Sequence, residues 1–329
     1  MVRILQIGNF DPPHSTENHL KEAMEALGHQ VATLQEQDIA GWMYVAGLVK
    51  TRPPDRLPEI VVWTRTKSLT EQVPLDIRWS LVNALRDHDI PLVGVHLDRW
   101  WGLARESDLT SGDPYFSSAM TALFTADGGH NAEWASIEVD HCWFQPAVSH
   151  VEANRQGVWR EDLCSPIAFV GSWQDYHPEW AQRRQLIEHL AAKYPDRLAL
   201  WPMRGQPGIR GQELCDLYES TCIVVGDSCL APAKDGTPIK NYWSDRVPET
   251  IGRGGFLLHP WVEGVERYYE DGKHLRLYHS MGELDALIDY YLAHDDERLA
   301  IAVEGQRHVR ENHTYMNRMK KVLSLASVA

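Results

Sequence analysis

Cysteine is scarce in this sequence, and its spacing argues against the usual cysteine-based sites. Five cysteines stand among 329 residues, and no two of them form a CxxC pair. Zinc sites and disulfide frameworks use paired or evenly counted cysteines, so we expect neither. A reduced intracellular compartment is therefore the simplest expectation. The five are Cys142, Cys164, Cys215, Cys222 and Cys229.

Long apolar runs are also absent. No window approaches about 18 uninterrupted apolar residues, the length that predicts a membrane helix. The opening MVRILQIGNF leads into a strand-like run and has no basic segment followed by a long apolar stretch. We therefore expect no signal peptide and no membrane span, and we expect a cytoplasmic protein.

The sequence has no excess of basic charge and no strong metal motif. Its formal net charge of −14 argues against a surface that binds nucleic acid as a whole, although a local basic cleft is compatible with it. None of the 16 histidines stands in HExxH spacing. The DHD triplet at Asp87–Asp89 resembles a metal-binding DxD motif, but it precedes its strand and is interpreted as a turn. We expect no metal site.

What the sequence does contain is an alternation of short apolar strands and amphipathic helices. Its apolar fraction of 43% and its charged fraction of 24% are typical of globular proteins. The first predicted strand, VRILQIG, ends at Gly8, and the helix that follows has Ser15 or Thr16 as its N-cap. This alternation predicts an α/β fold with parallel sheets joined by crossover helices.

The pattern starts afresh after a polar, irregular segment, which predicts two Rossmann-like, doubly wound domains. We expect an N-terminal domain over 1–148, a linker over 149–165 and a C-terminal domain over 166–312. A final amphipathic helix over 313–329 can cross back to the N-terminal domain. In open sheets of this kind, ligands bind beyond the carboxyl ends of the strands.

Four side chains of the first half lie after predicted strands and are candidate catalytic residues. His14 lies in GNFDPPHSTE, where an imidazole that titrates near neutral pH can act as a general base. Asp98 ends the strand IPLVGVHLD, and Asp127 and His130 lie in TADGGHNAEW. Ordinary loops and turns are the structural alternative for each of them.

In the second half, the stretch SDRVPETIGRGGFLLHP places Arg246 and Glu249 one helical turn apart, before a glycine turn and an apolar strand. This arrangement suits ligand binding at the end of a sheet, and a solvated helical ion pair is its structural alternative. Gly171, Ser172 and Trp173 follow another predicted strand, so that their backbone can approach a phosphate or a sugar.

The C-terminal third resembles a known group of glycosyltransferases. Seven features follow one another in order: an Arg, a Glu three residues later, a small-residue turn, an apolar strand, an acidic loop, a helix start and a late HTY. They are Arg246, Glu249, Gly254–Gly255, Phe256–Leu258, Glu263–Glu266, Gly282–Leu284 and His313–Tyr315. This pattern is similar to that of the group typified by spore maturation protein CgeB, within the GT-B glycosyltransferases, which have two Rossmann-like domains facing a cleft. The first half resembles the family only in layout.

The resemblance implies a nucleotide-sugar site in the second domain. Glu249 would accept hydrogen bonds from the ribose hydroxyls, Arg246 would lie near the diphosphate, and the helix start around Pro248 would add free N–H groups. The other residues expected at the site are Gly8, Gly171, Ser172, Trp173, Arg204, Lys240 and Asp245.

Two positions depart from the family pattern. Asn241 stands where many retaining relatives have a second acidic residue, and Ser172 stands where many have the first of two basic residues. Lys240, Arg204 or Arg210 can substitute for the missing basic side chain.

The implied function is the transfer of a sugar from a nucleotide-sugar donor, with a UDP-sugar expected, to a hydroxyl acceptor. The resemblance implies no metal or other cofactor and favours retention of anomeric configuration over inversion. The acceptor stays open between a glycan, a protein, a small molecule and, as in some phages, hydroxymethylated bases of DNA. A non-catalytic nucleotide- or sugar-binding protein of the same fold is the alternative outside the enzymes.

Overall fold

The computed structural model describes residues 1–173, 181–227 and 240–326, in two compact units. The first unit comprises Met1–Gln145 with Tyr315–Ala329, and the second comprises Pro146–Thr314. Residues 149–165, predicted as a linker, lie in the second unit. Cys229 and the first residues of the predicted helix EWAQRRQLIEHLAAKY lie outside the described ranges.

The first unit contains a parallel sheet of six strands in the order β2-β1-β3-β4-β5-β6. The strands are β1 (Arg3–Gly8), β2 (Gln30–Gln35), β3 (Ile60–Thr64), β4 (Leu92–Val95), β5 (Ala122–Thr125) and β6 (His141–Trp143). The helices of this unit are α1 (Thr16–Ala26), α2 (Ile39–Thr51), α3 (Lys67–Thr70), α4 (Leu75–Asp87), α5 (Asn131–Ser136) and α12 (Tyr315–Ala326).

The second unit contains a parallel sheet of five strands in the order β11-β10-β9-β7-β8. The strands are β7 (Ser165–Val170), β8 (Leu198–Trp201), β9 (Thr221–Val225), β10 (Leu257–Pro260) and β11 (Arg276–Tyr278). The helices are α6 (His150–Ala153), α7 (Ala181–Lys193), α8 (Gly211–Ser220), α9 (Arg246–Gly252), α10 (Met281–Tyr291) and α11 (Asp295–Asn312). Both units therefore confirm the predicted α/β class with parallel sheets.

Local sequence signals explain α1 but not α2. The Ser15 side chain accepts a hydrogen bond from the Asn18 N–H, which confirms the predicted N-cap of α1. Helix α2 is not predicted, because its sequence IAGWMYVAGLVKT is apolar on all sides and lacks the one-sided stripe that marks a surface helix.

A buried carboxylate ties several elements of the first unit together. Glu36, directly after β2, is fully buried and accepts hydrogen bonds from Trp63 Nε1 (2.9 Å), the Thr66 N–H (2.8 Å) and the Thr70 hydroxyl. Its backbone carbonyl accepts from Trp42 Nε1 at 2.9 Å. The Trp42 and Trp63 rings meet edge to face at 5.2 Å. Strands β2 and β3 and helices α2 and α3 are thus joined at one point.

None of the helices in the described ranges is both long enough and apolar enough to cross a membrane.

Glu36 makes the stability of the first unit depend on pH. Burial raises the pKa of Glu36 from 4.5 to about 7, against the opposing effect of its hydrogen bonds. The folded state therefore holds this proton more tightly than the unfolded chain, and the free energy of unfolding should fall as pH rises between these two values. The fall is about 3 kcal/mol across the window.

Urea unfolding followed by tryptophan fluorescence, at about pH 5 and about pH 7.5, measures this difference. The Glu36→Gln variant should lose that part of the pH dependence, whatever its absolute stability. Identical pH dependence in the wild type and the variant would contradict the raised pKa.

Candidate active site

Two arginines share one buried aspartate at the carboxyl edge of the second sheet. Asp227 follows β9, and its carboxylate lies 2.7 Å from Arg183 Nε on α7 and 3.3 Å from Arg246 Nη1 on α9. The side chains of Asp227 and Arg183 are almost fully buried, and that of Arg246 is 20% exposed. Burial alone would raise the pKa of Asp227, but Arg246 and Arg183 outweigh it and hold the pKa below its ordinary value. The three groups therefore carry one net positive charge.

Gly171 allows Arg246 to reach this position. It follows β7, the neighbour of β9 in the sheet, and has a φ of +152°. A Cβ atom added at Gly171 would lie 2.6 Å from Arg246 Nη1, closer than any van der Waals contact permits. The Phe169 ring lies beneath both guanidinium groups, with its centroid 5.8 Å from the Cζ atom of Arg183 and of Arg246. Phe169 and Gly171, at the end of β7, thus pack against both arginines.

Arg183 brings a positive charge close to Ser172, the position where many relatives have a basic residue. Arg183 Nη1 donates a hydrogen bond to the Ser172 carbonyl at 2.9 Å, while the Ser172 residue itself is exposed. Neither Arg183 nor Asp227 is predicted from the sequence. Two features of the sequence could have indicated them. Arg183 and Arg184 form an Arg-Arg pair early in the helix after the Gly171 turn, and Asp227 is an acidic residue directly after the strand sequence CIVVG.

A neutral histidine completes the electrostatics of the arginine pair. His259 of β10 is buried, and burial lowers its pKa to about 4, against the attraction of Asp227. The ring is therefore uncharged at neutral pH and adds no positive charge to the arginine pair.

Glu249 is held by a second buried arginine that the sequence does not predict as functional. Arg253 Nε donates to Glu249 Oε2 at 2.8 Å, one turn along α9, and Arg253 Nη1 donates to Glu152 Oε2 at 2.8 Å. Burial raises the pKa of Glu249, and Arg253 opposes that rise. The Glu249 side chain keeps 18% exposure, and no donor among the described residues is bonded to its other oxygen, Oε1. Glu249 is thus fixed through one oxygen.

The N–H groups at the start of α9 differ from the expectation. The helix begins at Arg246, two residues before Pro248. The Arg246 N–H donates to Ser244 Oγ and the Val247 N–H to the Ser244 carbonyl, while proline has no N–H. The Glu249 N–H donates to the Asp245 carbonyl. The prediction of free N–H groups at this helix start is wrong, because each of them already has an acceptor.

The other predicted residues of the second unit form separate contacts. The Arg204 guanidinium lies over the Trp173 ring at 5.5 Å, and Trp173 Nε1 donates to the Pro202 carbonyl at 2.8 Å. Lys240 pairs with Glu263 at 2.8 Å, and both side chains are about half exposed.

Two further positions flank α9. Asp245 is exposed, and its Oδ1 accepts from Ser244 Oγ at 3.0 Å. Asn241 has a φ of +48°, and its N–H donates to the Glu263 carbonyl at 2.7 Å. Of the residues predicted for this unit, the structure therefore gathers Gly171, Ser172 and Arg246 at the arginine pair.

The candidate catalytic residues of the first unit have four different environments. Asp98 is exposed and pairs with Arg105 at 2.7 Å. Asp127 is fully buried and accepts from the Trp100 N–H, the Trp101 N–H and the Thr125 hydroxyl at 2.8, 3.0 and 2.6 Å. Burial raises the pKa of Asp127. Because Asp127 accepts hydrogen bonds from the Trp100 and Trp101 N–H groups, it anchors the loop that follows Asp98.

The remaining first-unit residues lie nearer the surface or against α1. His130 Nε2 lies 2.9 Å from Arg99 Nη2; because guanidinium only donates, the lone pair of that ring nitrogen accepts the bond. His14 is exposed just before α1. Gly8 ends β1, and a Cβ added there would lie 2.5 Å from the Cγ atom of Glu17 on α1. The catalytic roles of these residues stay predictions.

Solved structures of glycosyltransferases have the same fold. The chain is similar to a glycosyltransferase of Rickettsia africae ESF-5, with a TM-score of 0.60 and 12% identity over 99% of this chain and 97% of that one. It is similar to Anabaena Alr3699/HepE, solved with UDP and glucose, with a TM-score of 0.59 and 12% identity over 98% and 100%.

It is also similar to the sucrose-phosphate synthase of Thermosynechococcus elongatus, with a TM-score of 0.60 and 11% identity over 100% of both chains. At such identities the likeness shows the fold, two Rossmann-like domains of the GT-B type. None of the curated proteins matches the sequence.

The sequence itself matches a family model. Residues 159–324, about half of the chain and nearly all of the second unit, match the family described as glycosyl transferase-like. This range contains the arginine pair, Asp227, Glu249 and Arg253. The chain belongs to the glycosyl transferase-like family and is a glycosyltransferase of GT-B fold.

Proposed function

We propose that this enzyme transfers a sugar from a UDP-sugar to a hydroxyl acceptor, with the diphosphate held by the partly exposed Arg246 and the buried Arg183 adding its positive charge through the shared Asp227. The observation that carries the proposal is the arginine pair on Asp227 at the carboxyl edge of β7 and β9, where open α/β sheets bind ligands. Anabaena HepE, of the same fold, has been solved with UDP and with UDP-glucose, which supports this choice of donor.

The arginine pair suits a diphosphate in charge and in geometry. Each guanidinium has five N–H donors in a planar fork, and planar N–H pairs match phosphate oxygens. The net positive charge is buried, so it acts in a medium of lower polarity than water. When the glycosidic bond to the donor phosphate breaks, negative charge grows on the leaving diphosphate, and fixed cations stabilise it. This role does not call for a metal ion, and metal independence is part of the proposal.

Glu249 is proposed to bind the ribose. A carboxylate can accept both hydroxyl protons of a ribose, and Arg253 holds Glu249 Oε2 while Oε1 is bonded to no donor of the described residues. Arg253 acts here as a positioning residue through Glu249. The distance of one helical turn between Arg246 and Glu249 is compatible with a phosphate and its ribose on the same helix.

The finer parts of the proposal rest on the sequence. Membership of the CgeB-like group rests on the ordered motifs of the C-terminal third, and retention of configuration rests on that membership. For the acceptor hydroxyl we propose Asp98 or His14 as the base, because both are exposed, whereas Asp127 is fully buried with three donors on its carboxylate.

Replacement of Arg246 tests the diphosphate site. We expect Arg246→Gln to weaken UDP binding at least tenfold and to lower kcat/KM for the sugar donor by about 10²–10³, because a charge on the leaving group is left unstabilised. Isothermal titration calorimetry with UDP and a donor-turnover assay measure the two effects. Arg307→Gln on α11 is the control, since Arg307 is 57% exposed and pairs only with Glu304 and Glu311 among the described residues.

An Arg246→Gln variant that binds UDP as tightly as the control would contradict the diphosphate assignment. UDP binding without turnover of any UDP-sugar, in the wild type, would contradict the choice of a UDP-sugar as donor.

Ribose recognition by Glu249 has its own test. Wild type should bind UDP about tenfold more tightly than 2′-deoxy-UDP, whereas Glu249→Ala should bind the two nucleotides equally, because the hydroxyl partner is gone. The same calorimetry gives all four dissociation constants. Undiminished discrimination in Glu249→Ala would remove Glu249 from the ribose site.

Arg253→Lys tests the positioning role. Lysine keeps the positive charge but cannot reach Glu249 and Glu152 with the planar geometry of a guanidinium. We expect the preference for UDP over 2′-deoxy-UDP to shrink several-fold while the far-ultraviolet circular dichroism spectrum stays that of the wild type. An unchanged preference would show that Arg253 is structural only.

A further inference from the structure

Helix α2 of the first unit exposes an apolar face. Ile39, Met43 and Tyr44 are 39%, 59% and 63% exposed, and Ala40 and Gly47 beside them are exposed as well. At 100° per residue these positions fall within one arc of the helix. The opposite arc holds Trp42, Ala46 and Val49, which are buried in the core of the unit. Because α2 is apolar on both sides, its outer face differs from that of an ordinary surface helix.

Exposed cations follow the carboxyl end of this face. From residue 39 to residue 54 the sequence contains no Asp or Glu, although the chain as a whole has a net charge of −14, and the exposed Asp38 and Asp55 stand just outside this stretch. Lys50 and Arg52 stand at the carboxyl end of α2, Arg56 lies in the short turn Pro54–Arg56 that follows, and all three are exposed. Neither Arg52 nor Arg56 makes a side-chain hydrogen bond or ion pair with any residue in the described ranges. At and beyond the carboxyl end of the apolar face, three exposed cations thus outnumber the one exposed aspartate, Asp55, in an otherwise acidic protein.

We propose that α2 docks the enzyme on an anionic membrane surface, with Met43 and Tyr44 inserted at the level of the headgroups and Lys50, Arg52 and Arg56 on the lipid phosphates. Helices with an apolar face and neighbouring Lys or Arg bind at such interfaces without spanning the bilayer. Tyrosine suits this depth because its ring is apolar and its hydroxyl is polar.

The area of the α2 face favours a membrane over a second copy of the chain as its partner. A helix of 13 residues is about 20 Å long, and a face about 10 Å wide covers roughly 200 Å². Stable protein dimers bury about 800 Å² on each partner. The α2 face alone is therefore too small for a stable dimer, whereas insertion of a few side chains suffices for reversible membrane binding.

Flotation with lipid vesicles tests the proposal. The full-length protein should float with phosphatidylcholine vesicles that contain about one-third phosphatidylglycerol and not with phosphatidylcholine alone, and added salt should weaken the binding. The double variant Met43→Glu, Tyr44→Glu should lose the binding. Arg52→Gln with Arg56→Gln should weaken it about fivefold for each charge removed.

Val303→Glu is the matched control, because Val303 is an exposed apolar residue (68%) on α11 of the second unit and should leave flotation unchanged. Circular dichroism and UDP binding should be the same in all variants, which separates this test from that of the donor site. Equal flotation of wild type and the Met43–Tyr44 variant, or no flotation of wild type, would overturn the proposal. A wild-type dimer in light scattering that Met43→Glu dissociates, without vesicle binding, would assign the face to a second copy instead.

Discussion

The shared carboxylate of Asp227 is the interaction on which the donor site depends. Two guanidinium groups could not be buried side by side without an anion between them, since their repulsion and desolvation would each cost several kcal/mol. The Asp227 carboxylate offsets the repulsion and the desolvation cost, and it leaves the three groups with one net positive charge. Its place directly after β9, next to β7 in the sheet, brings side chains from α7 and α9 together at the end of two neighbouring strands.

The rest of the site follows from that arrangement. Position 171 requires glycine, because Arg246 Nη1 occupies the space where the Cβ atom of any other residue would lie. The N–H groups at the start of α9 are all used within the fold, so the positive charge offered to a ligand comes from side chains and not from a free helix end. Arg253 then fixes Glu249 on the same helix. The proposed recognition of phosphate and ribose is therefore built on two arginines that are nearly fully buried, Arg183 and Arg253.

The sequence predicts the fold class and part of the site, and the missing part has a physical cause. Arg246, Glu249 and Gly171 lie in local patterns, a helix start and a strand-end turn, which can be recognised within a few residues. Arg183 and Asp227 are 44 residues apart, and their contact arises only when β7 and β9 pair. Helix α2 escapes prediction for another reason, because its outer face lacks the polar residues that reveal helical periodicity.

The most direct test of the central claim compares uridine, UMP and UDP as ligands in thermal unfolding of the wild type. If the arginine pair holds the diphosphate, stabilisation should increase with each phosphate, and UDP at about a hundredfold over its dissociation constant should add about 2.7 kcal/mol to the free energy of unfolding. Equal stabilisation by uridine and UDP, or none by either, would contradict a diphosphate site at Arg183 and Arg246.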